Sequence, residues 1–125
     1  VANFVNVPPE AIEDPLKQLG FFRSVEGAQV VYEKRHDCDP SVRVKVYTSI
    51  SSDGVQVRRR GKDSIRVCTI VQSWNKTYGI GKFPYIARVS SVDHVVKKLL
   101  TTVKAAWERG AEWHAEQTVK KVMGA

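Results

Sequence analysis

A chain of 125 residues, 42% apolar and 26% charged, is long enough for one folded domain with a real core. That balance excludes global disorder, and no apolar run approaches the roughly 18–20 residues that span a bilayer. The net charge of +7 is a local property: between Arg43 and Arg88 ten Lys/Arg stand against Asp53 and Asp63 alone, while the rest of the chain is close to neutral.

The first ten residues end in Pro8-Pro9-Glu10 and read as an arm or edge segment followed by a break. Residues 11–19 predict a short helix, capped by Asp14 with Pro15 at its first position and closed by Gly20. From Phe21 to Val89 the pattern is that of strands. Ala28–Lys34, with Val30, Val31 and Tyr32, is the first, and His36-Asp37-Cys38-Asp39-Pro40 breaks it as a turn. Val42–Ile50 then alternates, with Val42, Val44, Val46, Thr48 and Ile50 on one side and Arg43, Lys45, Tyr47 and Ser49 on the other.

Ser51-Ser52-Asp53-Gly54 predicts a hairpin turn that returns the chain as a short basic strand over Val55–Arg59. After Gly61-Lys62-Asp63 comes Ile65–Gln72, and a loop through Ser73–Gly81 leads to a last strand near Lys82–Val89. From Val92 the apolar residues Val95, Val96, Leu99, Val103, Ala106 and Trp107 recur at helical spacing, with Gly110 as a kink or an end. Residues 111–125 then form a helical extension. The expected fold is a single α+β domain over 1–125, with an antiparallel sheet of about four to five strands. One face of the sheet packs on the long C-terminal helix, and a short N-terminal helix completes the fold.

This arrangement gives the charge a direction. If the helix covers the valine side, the other face carries Arg43, Lys45, Tyr47 and Arg66 outward. Cations beside flat rings suit a polyanion whose bases stack, so nucleic acid is the expected partner, single strands ahead of duplex. The phosphate-contacting candidates are Arg43, Lys45, Arg58, Arg59, Arg60, Lys62, Arg66, Lys76 and Lys82; Tyr47 and Trp74 are the stacking candidates. A role in replication, recombination or RNA handling follows. Surplus apolar surface beyond Gly110, at Trp113 and Val119, predicts a homo-oligomer.

Catalysis finds no motif. Gly79-Ile80-Gly81-Lys82 lacks the spacing of a nucleotide-binding phosphate loop. His36-Asp37-Cys38-Asp39 has no second ligand pair at zinc-finger distance, so no metal, cofactor or catalytic residue is assigned. Two readings compete with nucleic-acid binding. One is a basic protein–protein module for an acidic partner; the other is a metal-dependent nuclease drawing on Glu33, Asp37, Asp39, Asp53 and Asp63, all expected at turns or strand ends. Two cysteines without a framework, and a start that lacks the order of a secretory signal, predict reduced thiols, no membrane partner and a cytoplasmic setting.

Overall fold

The computed structural model describes residues 4–27, 29–37, 39, 41–48, 55–58, 65–71, 74–79 and 92–124. In chain order these form β1 (Phe4–Val7), α1 (Pro9–Gln18), β2 (Phe22–Glu26), β3 (Gln29–Arg35), β4 (Arg43–Thr48), β5 (Val55–Arg58), β6 (Ile65–Val71), β7 (Trp74–Gly79) and α2 (Val92–Val122). Strands β2-β3-β4-β6-β7 make a five-stranded sheet in which every neighbouring pair is antiparallel. Strands β1 and β5 make a separate antiparallel pair. This is the expected α+β fold, a sheet with a long C-terminal and a short N-terminal helix.

Alternation builds the core. Val44 and Val46 of β4 and Ile65 and Val67 of β6 meet Val95, Leu99, Val103 and Ala106 of α2, all buried. Ile12 and Leu16 of α1 close one side, with Phe21 and Tyr32. Burying each valine, leucine, isoleucine or phenylalanine side chain among them contributes roughly 1.5–3 kcal/mol, and that packing rather than helix propensity holds α2 against the sheet.

Several expectations are corrected. Pro8 is the N-cap residue of α1, Pro9 opens the helix and Pro15 lies inside it, so Asp14 caps nothing. The two prolines at 8 and 9 outweigh the Asp-Pro signal, because a proline at the first helical position loses no bond. Phe22–Glu26 is a strand of its own, paired with β3 across a turn at Gly27, whose φ of 62° suits a glycine. Strand β4 does not turn back onto Val55–Arg58: its partner is β6, and β5 joins β1 instead. Trp74–Gly79, expected as loop, is strand β7, where Trp74, Thr77 and Tyr78 outweigh Asn75 and Gly79. The strand expected near Lys82–Val89 and the turns at 51–54 and 61–63 lie outside the described residues.

Helix α2 neither stops nor divides at Gly110. It runs for 31 residues, about 46 Å at 1.5 Å per residue. Gly110 is buried at the closest approach of helix to sheet: a Cβ there would lie 2.7 Å from Val42 Cγ1. That closeness lets two sheet-side residues bond the helix backbone. Thr69 Oγ1 donates to the Ala106 carbonyl at 2.7 Å, and His36 Nε2 donates to the Trp107 carbonyl at 3.2 Å. The His36 ring also stacks on Trp107, with centroids 4.0 Å apart. Beyond this region α2 is only partly covered: Trp113 and His114 are half-buried, while Val119, Val122 and the following Met123 are exposed. No described helix is long and apolar enough to cross a membrane.

Candidate nucleic-acid interface

Strand register places the side chains of the sheet face turned away from α2. Opposite Tyr47 stand Val31 of β3 and Arg66 of β6; opposite Lys45 stand Glu33 and Cys68; opposite Arg43 stand Arg35 and Ile70. Arg43, Lys45, Tyr47 and Arg66 share one face, as alternation implies, but not all of it is open to solvent as expected: Lys45 is largely covered, and Val31 and Cys68 on the same face are buried. The shared face comes from the period of two in β4 and β6, with Val44, Val46, Ile65 and Val67 drawn to the helix.

Two features of this face are not visible in a charge count. Acidic residues from outside the basic segment reach it. Lys45 Nζ donates to Glu26 Oε1 at 2.8 Å, and Arg43 Nε lies 3.5 Å from Glu33 Oε1. The bond to Glu26 raises the Lys45 pKa against the opposing effect of burial. The signal was present in β3, where Val31, Glu33 and Arg35 alternate, but Glu26 needed the β2–β3 hairpin to be recognised. Glu33, expected at a strand end, thus sits within β3.

The second feature is Arg35, which the basic segment did not include. It lies directly across from Arg43, and like charges opposite one another on an antiparallel pair are destabilising. Arg35 and Arg66 have no carboxylate partner among the described residues. Arg66 instead covers an aromatic ring, its guanidinium carbon 4.6 Å from the Tyr47 centroid, with Lys45 Nζ at 5.9 Å from the same ring. Such a cation–π contact orients both groups and leaves the guanidinium edges able to donate.

The remaining candidates are distributed elsewhere. Trp74 and Lys76 lie on β7, paired with Val71 and Thr69 of β6. Arg58 belongs to the β1–β5 pair, opposite Phe4. Arg59, Arg60, Lys62 and Lys82 lie outside the described residues.

Helix α2 does bring His114 to the His36–Asp39 turn. Asp39 Oδ1 accepts from Ser41 Oγ at 2.7 Å and from Ser41 N at 3.0 Å, while Oδ2 lies 3.3 Å from His114 Nδ1. No group of three or more His, Cys, Asp or Glu side chains suited to a metal ion occurs among the described residues. Cys38 is outside them, and Cys68 is a buried thiol.

The bonds from the Ser41 side chain and backbone, then from His114, hold the Asp39 carboxyl below its ordinary pKa. A lowered folded pKa contributes stability that is fully present above the ordinary carboxylate range and is lost as pH falls through the folded value. Asp39→Asn should therefore reduce stability at neutral pH by less than about 1 kcal/mol, because a surface pair is screened. It should also flatten the fall in stability on the acid side. Urea midpoints from pH 7 to pH 3 check this; an unchanged acid limb in the variant contradicts it.

Comparison with known proteins finds no matching family model, no matching curated protein and no matching solved structure. The functional reading therefore rests on the side chains.

Proposed function

We propose that the protein binds nucleic acid, single strands in preference to duplex, through the sheet face turned away from α2. The observation that carries this reading is the opposed Arg35–Arg43 pair on the same face as the Arg66-covered Tyr47 ring. A phosphate between Arg35 and Arg43 relieves their repulsion, and a base stacks at the Tyr47 ring beside the Arg66 guanidinium. Lys45 and Arg43 take part less than their charge suggests, since Glu26 and Glu33 must release them or share them. The sequence cluster Arg58-Arg59-Arg60-Gly61-Lys62 adds phosphate contacts to those of the sheet face. Chemistry on the bound strand is not part of this reading, and a cytoplasmic setting is its natural context.

Self-association belongs to the same proposal, because Val119, Val122 and Met123 stay exposed past the sheet and paired copies would lengthen the basic track. A monomer mass by light scattering at all concentrations removes that element.

The test is affinity for single-stranded and duplex DNA and RNA oligonucleotides across a salt series. The two face cations without a carboxylate partner among the described residues, Arg35 and Arg66, predict a log–log slope of about −1.4 for a single strand, and the four cations of the 58–62 cluster take it to about −4. A slope near zero rejects the reading. Binding to an acidic protein but to no oligonucleotide moves the assignment to a protein–protein module, and strand cleavage with magnesium or manganese moves it to a nuclease.

A further inference from the structure

On the other side of the sheet, a cavity of about 410 Å³ opens between the end of α1, strand β3 and the middle of α2. Its walls include Phe21, Leu100, Val103 and Trp107, and the charged groups lining it are Lys34 and Lys104. The size falls in the range that holds small organic ligands. No acidic side chain lines it, and neither lysine is in an ion pair among the described residues. Lys34 Nζ lies 4.6 Å from the centroid of the Trp107 ring, so one cation is fixed at an apolar wall. Lys104 is exposed on α2, one residue beyond the buried Val103.

The negative end of the α1 dipole lies near the opening but is weakened by capping. Three of its last carbonyls already accept a hydrogen bond: Leu19 N donates to Pro15 O at 3.2 Å, Gly20 N to Lys17 O at 3.0 Å and Phe21 N to Leu16 O at 2.9 Å. An apolar body is therefore accommodated by the walls, while the two ammonium groups select the sign of its head. Water filling the cavity finds few polar partners on those walls, which favours its displacement by an apolar group.

We infer that this cavity is a binding site for a single-chain anionic amphiphile, an alkyl carboxylate or alkyl phosphate whose chain enters between α1 and α2 and whose head meets Lys34 and Lys104. The site is formed by the helix-covered side and is independent of the basic sheet face. Occupancy bridges α1 to α2 and stabilises the folded chain in proportion to ligand concentration.

Calorimetry with octanoate, octyl phosphate and octylammonium tests the inference. Octanoate or octyl phosphate is expected to bind one per chain and saturably, with octylammonium at least about tenfold weaker. Whichever anion binds more tightly identifies the head group. Lys104→Glu, at an exposed position that leaves the core untouched, should weaken the anion about tenfold, and Lys104→Arg should keep affinity within about twofold. Leu100→Trp, which fills the cavity, should abolish binding while oligonucleotide affinity stays unchanged. Unsaturable uptake, equal affinity for octylammonium, or no effect of Lys104→Glu would overturn the inference. So would an acidic amphipathic peptide that binds this cavity where neither octyl anion does.

Discussion

Gly110→Leu is expected to lower unfolding free energy by about 3 kcal/mol, and Gly110→Ala by about 1. The built Cβ position lies 2.7 Å from Val42 Cγ1 and 3.3 Å from His36 Cδ2. Carbon atoms in good contact stand about 3.5–4.0 Å apart, so helix and strand must separate by the better part of an ångström. Val42 cannot yield easily: it is fully buried and branched at Cβ. Separation would also lengthen the bonds from Thr69 to the Ala106 carbonyl and from His36 to the Trp107 carbonyl. Alanine and leucine both recover most of about 1 kcal/mol of helix propensity over glycine, so the smaller net loss for alanine comes from its single methyl group, which forces less separation.

The sign of the alanine effect separates two roles for the glycine. If Gly110 served only to end or loosen the helix, Gly110→Ala would stabilise by about 1 kcal/mol. If it permits close approach, as the geometry has it, both variants lose stability and the leucine variant melts about 10 °C lower. Urea unfolding with an unchanged slope and a lower midpoint is the expected signature. A leucine variant as stable as the parent contradicts the packing.

The same glycine shows where the sequence was legible and where it was not. Apolar spacing located α2, since Val95, Leu99, Val103 and Ala106 follow helical periodicity and are all buried. Nothing local distinguishes a glycine that ends a helix from one that receives a strand, because the deciding neighbour, Val42, is 68 residues away in the chain. Strand alternation likewise placed Arg43, Lys45 and Tyr47 together, and strand pairing escaped it. A hairpin signal at 51–54 describes a turn and does not say which strand the chain joins afterwards. The actual partners of β5 and β4 are β1 and β6, long-range pairings that no local turn signal specifies. Electrostatics was lost for the same reason: Glu26 is 19 residues from Lys45 and meets it only through the β2–β3 hairpin.

Tyr47→Ala should weaken single-strand binding by about tenfold to a hundredfold, in line with about 1–3 kcal/mol for one base stacked on a ring. Tyr47→Phe keeps the ring and should change affinity little. Arg66→Ala discriminates between two ways of using the pair. If a base stacks on the outer plane of the guanidinium, removing Arg66 costs as much as removing Tyr47, because the ring alone has lost the surface the base rested on. If the base stacks on the ring itself and Arg66 serves a phosphate, Arg66→Ala reduces the salt slope by about 0.7 and affinity more modestly. In either case the Tyr47→Ala/Arg66→Ala double variant should lose less than the sum of the single losses, since the two groups orient each other. Fluorescence anisotropy of a labelled oligonucleotide at several salt concentrations reads both quantities at once. Tyr47→Ala with unchanged affinity and unchanged slope would remove this face from the interface. An equal loss on duplex and single strand would instead point to backbone contact without stacking, because paired bases offer the ring no free plane.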